Sequence, residues 1–238
     1  MLIAPSAIRE ICRKTDRRLW NAYGIHEGKS RPEEPFSRLL FPTDANGDIR
    51  VSEQEARFAF LESVLESGFF YSVETPTNEQ YQFKGEYARA AQTDFTILDK
   101  TNAHTLNVEF KKDTDIDTQD DVAVYKDVQK LLRESAPGMW FHLVESVNTE
   151  TLGKILYRLC SEFSKGLQMP ELNLNGKSKA VFFHVCVLRH GFSIHKRIDF
   201  SQSSDSHEGE FSFSYNVSRQ RFNGSSNPNK WDVHQNNY

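Results

Sequence analysis

No stretch of the sequence approaches the ~18 consecutive apolar residues of a membrane-spanning helix, so none is expected. The opening Met1-Leu2-Ile3-Ala4-Pro5 meets charge too soon for a secretory leader, and the expected location is the cytoplasm. Cysteine is scarce. Cys12, Cys160 and Cys186 are odd in number, isolated, and without any Cys-x-x-Cys spacing, which excludes a disulfide framework and reads as reduced, buried small side chains. A basic surplus is also missing: 29 Lys and Arg stand against 33 Asp and Glu, a net charge of -4. That balance argues against a protein whose whole surface coats nucleic acid, while leaving room for a local patch that holds phosphates.

What the chain does have is enough apolar material for a core, 38% hydrophobic with 12% aromatic, and a pair of short alternating runs at its centre. Leu106-Asn107-Val108-Glu109-Phe110-Lys111 sends Leu106, Val108 and Phe110 to one face of a strand and Asn107, Glu109 and Lys111 to the other. Thr93 to Leu98 alternates likewise, with Phe95 and Ile97 apolar and Asp94 on the polar side. Closing the two runs into an antiparallel hairpin through Lys100-Thr101-Asn102-Ala103 pairs Asp99 with His104, Thr96 with Asn107 and Asp94 with Glu109. Directly opposed residues have Cβ atoms about 5 Å apart, so two carboxylates there repel unless one is protonated or a cation lies between them. Hard oxygen ligands favour Mg²⁺ or Mn²⁺ for that cation. An exposed strand face also carries Asp, Glu and Lys as ordinary solvated pairs, and Glu109 with Lys111 can be read that way too.

Asp94 followed by Glu109-Phe110-Lys111 resembles the signature of the PD-(D/E)xK nuclease superfamily, over about Ser52 to Ser146. Thr93 stands where the literal signature has proline. The resemblance implies an α/β protein with a restriction-endonuclease-like mixed β-sheet core flanked by α-helices. It implies that Asp94 and Glu109 hold Mg²⁺ or Mn²⁺ with the backbone carbonyl of Phe110, that Lys111 orients the attacking water, and that phosphodiester bonds of nucleic acid are hydrolysed, DNA before RNA. Many members add a glutamate from the first core helix; Glu55 is the choice here and Glu62 the reserve. Some also place a Gln and a Tyr on the helix after the lysine, in the order opposite to Tyr125 and Gln129. The alternative is a catalytically inactive module of the same fold that binds nucleic acid or a protein partner; a homodimer is compatible with either.

The chain divides into a basic helix and irregular connection over 1–50, the nuclease-like core over 51–200 and a peripheral strand with a polar tail over 201–238. Residues 1–22 read as a helix with Ser6 as its cap and Ile8, Ile11, Cys12, Leu19 and Trp20 as its apolar face; Phe36, Leu39, Leu40 and Phe41 pin the connection. Ser52 and Glu55 form a capping box for a second helix whose stripe is Phe58, Leu61, Leu65 and Phe69, widened by Ala56, Phe60 and Val64 and stopped at Gly68. Phe69 to Thr75 reads as a strand and Pro76 to Gln80 as a turn. Gln92 falls opposite Lys111 in the hairpin register. The acidic run from Asp113 to Asp121 lacks the central glycine and closing glutamate of a calcium loop, and Asp120 and Asp121 fit the start of a helix from about Asp120. That helix, to about Ser135, offers Tyr125, Lys126, Gln129 and Lys130 toward substrate, Lys126 foremost.

Trp140 to Val144 and Ala180 to Leu188 read as strands buried on both faces, with an amphipathic helix over 149–167 between them. Lys177 to Arg197 carries Lys177, Lys179, Arg189, Lys196 and Arg197 without an acid, and Arg189, Lys196 and Arg197 are the expected grip on a phosphate backbone. His184, His190 and His195 lie in the same segment without partners at ligand spacing, so His184 is read as a core residue rather than a zinc ligand. Glu210 to Tyr215 alternates as a peripheral strand, and Trp231 is the one strong anchor in the last stretch.

Overall fold

A computed structural model describes residues 3–26, 39–82, 87–112, 121–168, 172, 174, 178–201, 215–216, 221–222 and 231–235. The expectations for Phe36, for Asp113 to Asp120, for Lys177 and for Glu210 to Ser214 lie outside these residues. Among the described residues, four helices, α1 (Pro5–His26), α2 (Glu53–Glu66), α3 (Asp121–Arg133) and α4 (Thr149–Leu167), accompany nine strands. The strands are β1 (Phe70–Tyr81), β2 (Arg89–Leu98), β3 (His104–Lys112), β4 (Gly138–Val144), β5 (Lys179–Val187), β6 (Phe192–Phe200), β7 (Tyr215–Asn216), β8 (Arg221–Phe222) and β9 (Asp232–Gln235).

Seven strands form one mixed sheet in the order β1-β2-β3-β4-β5-β6-β9. Its centre, β3-β4-β5, is parallel, and the flanking pairs are antiparallel. Parallel neighbours need a long crossover, which α3 supplies between β3 and β4 and α4 between β4 and β5. The two sides of the sheet fill separate cores. Phe95, Val108, Phe110, Phe141 and Phe182 pack under α1 and α2, whereas Trp140, Phe183, Val185 and Ile194 pack under α3 and α4. Every residue of β4 is buried, as its unbroken apolar run predicts. Trp231 is buried, and β9 beyond it closes the sheet against β6.

Three local expectations change. Ser6 lies inside α1, which starts at Pro5; a proline at the first helical position loses no needed N–H, and the Ala4 carbonyl accepts from Ala7 and Ile8. On α2 the capping box forms, but Phe58 and Leu65 are 56% and 54% exposed, and the buried face is Ala56, Ala59, Phe60, Ser63 and Val64. Small side chains at Ala59 and Ser63 admit α1, whose Thr15 and Arg18 donate to the Ser63 hydroxyl at 3.1 Å each. Finally, Pro76 to Gln80 is no turn. β1 continues through it as the sheet's edge strand with an irregularity between Pro76 and Gln80, the one sheet environment that tolerates a residue without an N–H.

Candidate active site

The hairpin of β2 and β3 forms with the expected register over Phe95↔Val108, Thr96↔Asn107 and Ile97↔Leu106, then slips by one residue at the turn, where Leu98 and not Asp99 faces His104. The regular ladder stops at Phe95, one residue short of Asp94. Asp94 turns its carboxylate onto the β3 backbone instead: Oδ2 accepts from the Phe110 N–H at 2.9 Å. Its other oxygen, Oδ1, lies 3.0 Å from Arg57 Nη2. The same guanidinium pairs with Glu74 Oε1 at 3.0 Å. Val73↔Phe95 and Thr75↔Thr93 set Glu74 and Asp94 opposite each other on neighbouring strands, so Arg57 spans a second pair of facing acids.

Glu109 is buried on the α3 side of the sheet, only 1% exposed. Its Oε2 accepts from Lys130 Nζ at 2.8 Å, and its Oε1 is buried without a hydrogen-bond partner. Burial pushes the Glu109 carboxyl well above the usual glutamate range, Asp127 and Asp94 push the same way, and Lys130 opposes them. Lys130 spends its three donors on Glu109, on Asp127 Oδ1 at 2.8 Å and on the Gln92 carbonyl at 2.9 Å. Asp127 Oδ2 in turn lies 2.5 Å from Lys111 Nζ. Burial works against the Asp127 charge, but Lys130 and Lys111 outweigh it and hold this carboxyl below its ordinary value. Desolvation likewise lowers Lys111, and Asp127 more than reverses it. The result is a continuous alternation of charge, Glu109, Lys130, Asp127, Lys111, along one face.

This chain borders a cavity of ≈ 670 Å³, within the range of ligand sites, lined by Glu74, Pro76, Arg89, Ala90, Ala91, Gln92, Lys111, Lys126, Asp127 and Lys130. Four cations there face two carboxylates, a basic lining on a chain of net charge -4.

Of the sequence candidates, Gln92, Lys111 and Lys126 line the cavity; Glu109 lies behind Lys130, and Asp94 is held to the Phe110 N–H, so these two acids and Phe110 are not part of its wall. The other sequence candidates do not line it either. Glu55 Oε2 is taken by the Ser52 N–H at 2.8 Å and by the Ser52 hydroxyl in the capping box, and Glu62 faces α1 through Arg18 at 3.1 Å. Glu53, at the start of α2, points to the site instead. Burial raises its carboxyl, Lys111 lowers it, and Asp94 and Asp127 raise it further. Arg189 lies 3.5 Å from Glu145, Lys196 is buried on β6, and Arg197 pairs with Asp199 at 2.7 Å. None of the three lines the cavity, because β6 stands three strands away from β3. Gln129 is buried on the α4 side of α3, its amide nitrogen beside Gly166.

Sequence reasoning missed Glu53, Arg57 and Asp127. The i, i+4 spacing of Glu53 and Arg57 and the i, i+3 spacing of Asp127 and Lys130 are the signals that could have found them. Comparison with protein-family models, with curated proteins and with solved structures finds no match.

Proposed function

We propose that the protein is a metal-dependent nuclease of restriction-endonuclease-like fold, acting on DNA before RNA, with Mg²⁺ or Mn²⁺ at Asp94 and Glu109. The observation that carries this reading is the unpartnered Oε1 of buried Glu109, in a cluster where Asp94 and Asp127 disfavour its charge. A buried carboxylate oxygen without a donor is costly unless a cation reaches it. Asp127, absent from the resemblance, holds Lys111 and Lys130 beside Asp94 and Glu109, and the Phe110 carbonyl remains the backbone candidate. When bound, the divalent ion would lower the pKa of water and offset charge developing on a phosphate. Lys111 places the nucleophilic water, and Arg89 and Lys126 on the cavity wall hold the flanking phosphates.

The inactive-module reading also has an observation in its favour. Lys130 already stands between Glu109 and Asp127, and Arg57 already bridges Asp94 and Glu74, so the protein's own cations partly neutralise the acids. Incubation with single-stranded, double-stranded and branched DNA and with RNA, in Mg²⁺, Mn²⁺ or EDTA, separates the two. Metal-dependent cleavage lost in Asp94→Ala supports the enzyme; binding without cleavage of any substrate supports the module.

Two further results are expected. Mg²⁺ or Mn²⁺ should raise the melting temperature of the wild type by binding the folded state, and Glu109→Gln should lose that response. An equal shift in the variant would place the ion elsewhere. Glu55→Ala should cost about 1 kcal/mol in urea unfolding, the worth of a helix cap, and leave cleavage intact; Glu53→Gln should slow cleavage with little change in stability. Cleavage lost in folded Glu55→Ala would return the role to Glu55.

A further inference from the structure

The opposite face of the sheet holds a second buried cluster, under α1. His184 on β5 and His195 on β6 are register partners with ring centroids 5.7 Å apart. Both are buried, and Nδ1 of each has no hydrogen-bond partner. Cys12 comes down from α1 one turn before Asp16, and it is buried as well. One ligand atom from each of Cys12, His184 and His195 lies within 4.8 Å of the others.

Asp16 arranges this cluster from behind. Its Oδ1 is 2.7 Å from His184 Nε2, its Oδ2 accepts from the Ser193 hydroxyl at 2.5 Å, and His234 Nδ1 stands 3.3 Å from the same oxygen. Burial works against the Asp16 charge, yet His184, His234 and Ser193 together hold the carboxyl well below its ordinary range. With the Nε2 proton donated to Asp16, His184 turns the lone pair of Nδ1 into the protein, the arrangement that supports a metal-bound imidazole. His195 offers its own Nδ1, buried and without a hydrogen-bond partner, from the neighbouring strand. Burial and Asp16 keep Cys12 a thiol; a coordinated cation reverses that by binding the thiolate. The adjoining cavity measures only ≈ 10 Å³, close to the least that holds one water and too small for an organic ligand. Arg9 and Arg13 also line it, and Arg9 is paired with Asp232 at 2.7 Å.

We propose that Cys12, His184 and His195 form a transition-metal site, suited by its sulfur and nitrogen donors to zinc, that fastens α1 to β5 and β6 and is separate from the Glu109 site. Zinc at about 2.3 Å from sulfur and about 2.0 Å from nitrogen needs donors ~3.5 Å apart, so the three side chains close by on the order of 1 Å on binding. The ligands are remote in sequence, one on the first helix and two on neighbouring strands, which is why histidine spacing alone reveals nothing.

The test uses the full chain stripped of metal and titrated with Zn²⁺ and, as a spectroscopic substitute, Co²⁺. One equivalent of Co²⁺ should produce a thiolate-to-cobalt charge-transfer absorption that Zn²⁺ abolishes by displacement, and Zn²⁺ should raise the melting temperature. Cys12→Ser should lack the absorption, and His195→Gln should bind zinc more weakly by at least about 10-fold. Glu109→Gln should keep the full zinc response. A wild type without the absorption overturns the proposal whatever the variants do, as does a Cys12→Ser protein that retains it.

Discussion

On the proposed nuclease reading, Lys111→Met is expected to lower single-turnover cleavage by about 100-fold or more while leaving substrate binding and the Mg²⁺-induced rise in melting temperature largely intact. The side chain stands at the end of β3 on the cavity wall, its ammonium against Asp127, within electrostatic reach of Glu109 and Glu53. A lysine that merely balanced an acid on a strand surface would be replaceable at a cost of at most about 1 kcal/mol and would not affect the chemical step. A compact ammonium that places water does affect it, and the planar guanidinium of Lys111→Arg presents its donors in a different geometry and should restore little. Rapid-mixing cleavage at saturating protein checks this, since it isolates the step from binding and product release. Near-normal cleavage by Lys111→Met would remove Lys111 from the chemistry.

Replacing Lys130 should damage the fold itself. Lys130→Met leaves Asp127 with Lys111 but strips Glu109 of its cation partner, and breaking a buried pair by removing one member typically costs about 3–5 kcal/mol. The loss has a pH signature. Without Lys130 the buried Glu109 carboxyl rises further above its unfolded value of about 4.3, so between those two values the folded state binds more protons than the unfolded one and stability falls as pH rises. Urea unfolding at pH 5 and pH 8 should therefore show the larger deficit at pH 8, and Lys130→Met with Glu109→Gln should recover most of it. Mg²⁺ should stabilise the single variant more than the wild type if the acids share an ion. A deficit under about 1 kcal/mol at both pH values would mean that the pair behaves as an exposed one.

The sheet was legible where periodicity is strong. Alternation in β2 and β3 predicts which side chains leave each face, and the unbroken apolar runs of β4 and β5 predict burial on both, because a period of two leaves little choice once one face must be dry. The α2 face was not legible: Phe58 and Leu65 outrank Ala59 and Ser63 in hydrophobicity, but α1 approaches where side chains are small and where Arg18 can reach Ser63. Within the site, Asp94, Glu109 and Lys111 share one hairpin and can be placed from local spacing. Asp127 and Lys130 come to Glu109 only through the packing of α3, and Glu53 differs from Glu55 by a rotation about the helix axis that the capping box decides. Contacts of that kind depend on how elements meet, which no window of sequence contains.

The carboxylate of Asp16 also favours one order of assembly over another. Its side-chain partners His184, Cys186, Ser193 and His234 lie on β5, β6 and β9, the last strands of the main sheet to leave the ribosome. A nascent chain that docked α1 early would bury an acid with nothing to receive it, at a cost that the surrounding apolar contacts must overcome. Docking of α1 onto the sheet is thus favoured only once β5, β6 and β9 are in place. Until then the apolar surface that it will cover on α2 and the sheet stays open to the solvent, and to whatever chaperone meets the chain in that interval.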